Sequence, residues 1–170
     1  MQKKDWSQFM LRIPVNASIQ EIYDRWTSPG GLESFFLRQA LFTTAEGAAK
    51  MNGQKIGQGD TYQWRWFGYP DSVTETGTVL AANGKDFLQF TFGKAGTVSV
   101  SVKTMEGATI IELIQDNIPT DEDAKFNYHI GCQGGWLFYL VNLKSLMEGG
   151  IDLRNRDEKL TQALTQVINS

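Results

Sequence analysis

The segment from Gly131 to Gly150, carrying Trp136, Leu140, Leu143 and Met147, reads as the body of a long helix with a heavy apolar face. Everything before it from Leu37 onward reads as strands. A helix cannot bury an apolar stripe alone, so this one must find its partner in that sheet. The expected architecture is α+β: a curved antiparallel sheet gripping a helix, with space for a ligand between them.

The helix is expected to run from Thr120 to Gly149. Thr120 is a plausible N-cap, and Asp121, Glu122 and Asp123 suit the positive end of the helix dipole. Gly149 and Gly150 suit its C-terminal end. At about 100° per residue, Tyr128, His129, Cys132, Trp136, Tyr139, Leu140, Leu143, Leu146 and Met147 share one broad arc. Asn142, Ser145 and Glu148 fall outside it. Phe138 plots almost opposite the arc, which points to cover by the C-terminal tail or by a second copy in a homodimer.

Three glycines, Gly131, Gly134 and Gly135, interrupt this pattern. Each costs about 1 kcal/mol relative to Ala in a helix interior. Close packing on a strand would offset that cost. A thinned helix wall over a ligand cavity is the functional account, and a helix that begins only near Gly134 would make the glycines loop.

Upstream, Trp6 to Ile13 reads as a first strand ended by Pro14. Ser18 and Glu21 have capping-box spacing, and Ile19, Ile22, Tyr23 and Trp26 follow at helical intervals. Pro29 opens a second short helix with Leu32, Phe35 and Phe36 on one face. Leu37 to Thr44 reads as a strand. Residues 45–59 carry several glycines and no apolar period, the mark of a long loop. Tyr62, Trp64 and Trp66 alternate with Gln63, Arg65 and Phe67. Strands at Val73 to Ala82, Asp86 to Phe92, Thr97 to Met105 and Ala108 to Ile118 follow. Asn83-Gly84 and Glu106-Gly107 are hairpin signals, so the sheet is a meander of about seven antiparallel strands. Val98, Val100 and Val102 alternate with Ser99, Ser101 and Lys103, which gives the sheet one covered and one wet face.

A chain of 170 residues suffices for one domain, expected over 1–150, with 151–170 as a tail. The tail is expected to form a short helix through Leu160, Leu164, Val167 and Ile168. Net charge is −3, which gives no electrostatic case for nucleic acid. No run approaches the roughly 18 apolar residues of a membrane span, so no stable membrane insertion is expected. The single cysteine, Cys132, excludes an internal disulfide, and a cytoplasmic location is expected.

The order of strand, two short helices, strands and long helix resembles the helix-grip order of the START and birch-allergen-like superfamily. Trp26-Thr27-Ser28-Pro29-Gly30-Gly31-Leu32, leading to Phe35-Phe36, resembles a phrase of the activator of Hsp90 ATPase homologue-like family within it. Gly135-Trp136 with Leu140, Leu143 and Glu148-Gly149 resembles that family's terminal helix, and Val73 to Val79 before Phe87 to Phe92 its middle strands. The resemblance implies the helix-grip fold. Its members bind diverse apolar ligands or act as chaperone partners, so it implies no catalytic residue.

This frame places the candidate site residues. Trp64, Trp66, Phe90, Phe92, Trp136, Tyr139 and Leu140 are placed to line an apolar cavity or to fill the core. His129, the sole histidine, is either a polar handle in a pocket, with Gln133 and Tyr139, or a hydrogen-bonded side chain near the helix start. Glu33, Asp60, Glu75, Glu112 and Asp116 lie nearest the apolar elements; no spacing pairs two of them, so each reads as solvated or capping. Cys132 reads as a small buried hydrophobe. No metal-ligand spacing is present, and no cofactor is expected. The leading expectation is a module that binds a small hydrophobic molecule or lipid. The alternatives are a chaperone-partner domain and, less favoured, a cyclase- or hydrolase-type enzyme using His129.

Overall fold

A computed structural model describes residues 4–157. Strand β1 (Phe9–Pro14) is followed by α1 (Ile19–Trp26) and α2 (Pro29–Phe35). The Ser18 capping box forms as expected. Its hydroxyl accepts from the Glu21 amide at 3.2 Å, and the Glu21 carboxylate accepts from the Ser18 amide at 2.9 Å. Ser28 caps α2, with Pro29 in the first turn.

The remaining strands are β2 (Gln39–Thr43), β3 (Thr61–Arg65), β4 (Glu75–Ala82), β5 (Phe87–Thr91), β6 (Thr97–Met105) and β7 (Ala108–Asp116). They form one seven-stranded antiparallel sheet in the order β1-β7-β6-β5-β4-β3-β2. Among the described residues, only β1 pairs with a strand distant in sequence. Val98, Val100 and Val102 of β6 are buried on the concave face, while Lys103 and Arg12 reach Glu112 on the other. A bulge between Val79 and Ala81 of β4 adds to the curvature.

Register decides which residues face the helix. Tyr62 lies opposite Gly77, and Trp64 opposite Glu75. Directly opposed residues share a face, so Glu75 stands on the concave side with Tyr62 and Trp64. Gly77 is the close approach this requires, because a Cβ there would lie 2.5 Å from the Tyr62 hydroxyl.

The helix crosses that face. Helix α3 (Glu122–Ala124), a π turn (Lys125–Ile130) and α4 (Gly131–Met147) run on as 26 continuous residues. It therefore begins at Glu122 and not near Gly134, and its N-cap is Asp121 in place of the expected Thr120, the Asp121 carboxylate accepting from the Ala124 amide at 3.0 Å. No helix among the described residues is long and apolar enough to cross a membrane.

One reading of the helix face needs correction. Asn142 is fully buried, although its position on the helix surface places it outside the apolar arc. Its amide donates to the Phe35 carbonyl at 2.7 Å and to Asp152, and its carbonyl accepts from the Leu153 amide. The chain after α4 folds back over this face. There the buried Arg154 donates to the carbonyls of Glu33, Ser34 and Leu37 and pairs with Asp152. The tail thus closes the C-terminal end of α2, whose last carbonyls have no helical partner. Residues 45–59 are the expected long loop, held down by specific bonds. The Ile56 amide bonds the Thr27 carbonyl, the Gly30 amide bonds the Asn52 carbonyl, and Lys50 pairs with Asp60 at 3.1 Å. The tail helix expected through Leu160, Leu164, Val167 and Ile168 lies outside the described residues.

Candidate functional site: a cavity under the glycine face of the helix

A cavity of about 760 Å³ lies between one end of the concave face and the helix. Trp66 and Phe92, just past β3 and β5, form its sheet side. Phe36 enters from the end of α2, and Trp136 and Tyr139 descend from α4. Phe36 is the hub of these walls. Its ring centroid lies 4.7 Å from Tyr139, 5.0 Å from Trp136 and 5.9 Å from Trp66. Tyr69, Lys94 and Asn127 line the cavity and are solvent-exposed, so it opens at that end.

The helix wall is thin where the glycines stand. Gly131 and Gly135 both line the cavity. A Cβ on Gly135 would meet nothing within 4 Å, and one on Gly131 would meet only the Phe126 carbonyl of its own helix at 3.4 Å. Close packing on a strand is therefore not what these two glycines serve; they leave volume. Gly134 faces solvent. The π turn just before Gly131 adds a residue to its loop of backbone, a feature that often marks functional sites. Asn127 and Tyr128 in that turn face the cavity.

A buried glutamine fixes the floor. Gln115 of β7 is inaccessible to solvent. Its carbonyl accepts from the Trp136 indole N–H at 2.7 Å, and its amide donates to the Ala95 carbonyl at 2.8 Å. One side chain thereby sets both the helix wall and the turn Gly93–Ala95 that forms the rim.

The site is mostly apolar but holds one carboxylate. Glu75 lines the cavity with a half-buried side chain, and burial pushes its carboxyl above the ordinary range while a hydrogen bond from the Thr76 amide opposes the shift. Burial also raises the Cys132 thiol, which works against a thiolate nucleophile at this position. Burial raises the Tyr139 hydroxyl as well. No group of three His, Cys, Asp or Glu side chains among the described residues could hold a metal ion.

The residues singled out from the sequence separate into two sets. Trp66, Phe92, Trp136 and Tyr139 come together around the cavity. Trp64, Phe90 and Leu140 are fully buried behind it, where Trp64 packs edge-on to Phe36 and Phe90. His129 is buried too, but against the N-terminal segment. Its Nδ1–H donates to the Trp6 carbonyl at 3.0 Å, and Trp6 and Phe9 box the ring at 5.0 and 5.4 Å. It shares the helix's inward arc with Trp136, yet two turns earlier that arc meets β1 and not the cavity. Gln133 is half-buried and not among the lining residues. Glu75 is the lining residue that composition alone misread. Its signal is register, because it follows the concave-face alternation Glu75, Gly77, Val79.

The comparisons with known proteins agree with this fold. Among solved structures, the chain is similar to the protein SSP2350 from Staphylococcus saprophyticus, at 18% identity and a TM-score of 0.66, over 86% of this chain and 96% of that one. It is similar to the Aha1 dimer from Colwellia psychrerythraea at 17% identity and 0.62, over 84% and 97%. It also resembles DynU16, a protein of the dynemicin biosynthetic locus, at 15% identity and 0.64, over 88% of this chain and 50% of that longer one. These identities establish a shared fold. No curated protein matches the sequence. The family model for activator of Hsp90 ATPase homolog 1-like proteins matches residues 16–148, from the approach to α1 to the end of α4, and the chain belongs to that family.

Proposed function

We propose that this protein binds a small, largely apolar molecule in the cavity between the sheet and the helix. The observation that carries the reading is the cavity's construction. Two helical glycines hold open a space of about 760 Å³ walled by Phe36, Trp66, Phe92, Trp136 and Tyr139. That volume falls within the range of sites for small organic ligands, and aromatic walls with few polar groups are their usual lining. His129, which an enzymatic reading would need inside the pocket, is engaged elsewhere by Trp6 and Phe9. Native mass spectrometry of the purified protein is expected to show a retained small molecule, and an apolar fluorophore is expected to quench the cavity tryptophans Trp66 and Trp136 on binding. Failure of a panel of apolar probes to bind would reject the reading.

A chaperone-partner role is the second reading. Family membership supports it, as does an exposed apolar stripe of Phe126, Ile130, Leu137 and Val141 on the outer side of the helix. It predicts stimulation of an Hsp90 ATPase by the purified chain. An unchanged rate with no measurable binding would reject it.

A further inference from the structure

Glu75 is an anomaly in an otherwise apolar wall. The β3–β4 register turns its side chain onto the concave face beside Trp64. Its carboxylate has no ion-pair partner among the described residues, and the hydrogen bond it receives comes from the amide of its neighbour Thr76, at a long 3.2 Å. Lys94 also lines the cavity, but it is exposed at the rim and does not pair with Glu75. The backbone keeps this place open. At Gly93, with φ +46°, a Cβ would lie 2.6 Å from one carboxylate oxygen and 2.9 Å from the other. A half-buried acid held without a counter-charge costs stability, and such groups concentrate where a ligand supplies the partner.

We infer that the cavity takes an apolar amine, with the ammonium group seated on Glu75 and the apolar body against Phe36, Phe92 and Trp136. The inference rests on the ligand-binding reading and names its ligand class. Aromatic faces suit this occupant twice over, because they bury the hydrocarbon and attract a cation through the ring quadrupole. The remaining titratable groups of the cavity do not compete for the role. Burial raises the Tyr139 hydroxyl and the Cys132 thiol, so neither supplies a second anion, and Lys94 carries the same sign as the ligand.

The test uses three probes of one shape: naphthylmethylamine, naphthylmethanol and naphthoate, titrated into the full chain by calorimetry at neutral pH. The amine is expected to bind at least tenfold more tightly than the alcohol, and naphthoate least tightly. Glu75→Gln is expected to level amine and alcohol while still unfolding in one cooperative transition, which reports an intact fold. Glu75→Asp keeps the charge and is expected to keep the preference, so a fold defect in the amide variant does not decide the matter. An amine no tighter than the alcohol, a preference for naphthoate, or an amine preference that survives Glu75→Gln would overturn the inference and leave the cavity reading standing. If none of the three binds, the cavity reading falls and takes this one with it.

Discussion

Gly135 separates a wall built for packing from a wall built for volume. Replacing glycine by alanine within a helix removes unfolded-state freedom and is worth about 1 kcal/mol where the new methyl fits. At Gly135 the methyl meets nothing within 4 Å, so no clash term subtracts from that gain. Gly135→Ala is therefore expected to stabilise the protein by about 1 kcal/mol, a rise of roughly 2–4 °C in Tm for a chain of this size. The same change at Gly93 has the opposite sign. Its φ is positive and its Cβ would press on the Glu75 carboxylate, so Gly93→Ala is expected to cost about 1–3 kcal/mol. Gly135→Leu keeps the helical gain but pushes a branched side chain into the cavity, so naphthylmethanol affinity should fall at least tenfold without loss of Tm. Scanning calorimetry and ligand titration on the three variants test this together. A Tm drop of more than 2 °C in Gly135→Ala would show that the wall is packed there and refute the reasoning.

The tail should prove structural. Arg154→Ala strips three carbonyls of a buried donor and leaves Asp152 without its main partner, for an expected loss of about 3 kcal/mol in urea unfolding; a loss under 1 kcal/mol would dismiss the tail as a clamp. Burial works against the charge of Asp152, yet Arg154 overrides it and holds the carboxyl well below the ordinary range. Its contribution is thus present above the usual carboxyl pKa of about 3.9 and lost as pH falls through the folded value, so the cost of Asp152→Asn should shrink in strong acid. Glu75 has the reverse sign: its carboxyl is raised, so its ionisation costs stability as pH rises from the unfolded value of about 4.3 through the folded one. Glu75→Gln should raise Tm at neutral pH and lose that advantage near pH 4. Trp136→Phe leaves the Gln115 carbonyl without its indole donor, whereas the buried Trp64 indole N–H has no hydrogen-bond partner to lose. Trp136→Phe should therefore cost about 1–3 kcal/mol more than Trp64→Phe, as read from urea midpoints; equal costs would count against the Gln115 bridge.

Elements with their own local chemistry were legible before the structure. Ser18 with Glu21, the alternating valines of β6 and the glycine hairpins each specify local geometry without distant help, and together they define the sheet and its order. The helix glycines were legible as a question, since their cost could be seen but not what offsets it. What stayed hidden depends on pairing across the fold. Glu75 looks like a surface acid until Trp64 is set opposite it. Asn142 looks solvated until the chain after α4 returns to cover it. His129 and Trp136 share one stripe of the helix, but the stripe runs from β1 to the cavity, and no periodicity reports where along a helix its partner changes.

The one non-neighbouring pairing of the sheet also sets an order of events. Arg12 and Glu112 meet across β1 and β7 from positions 100 residues apart. During synthesis at about 5–20 residues per second, β1 must wait several seconds for its partner to leave the ribosome. The strands between them can form hairpins as they emerge, but the helix that seals Trp64, Phe90 and Val98 emerges later still. The nascent chain therefore carries an open, aromatic-rich sheet face until the helix is made, and that interval is when it is most exposed to aggregation.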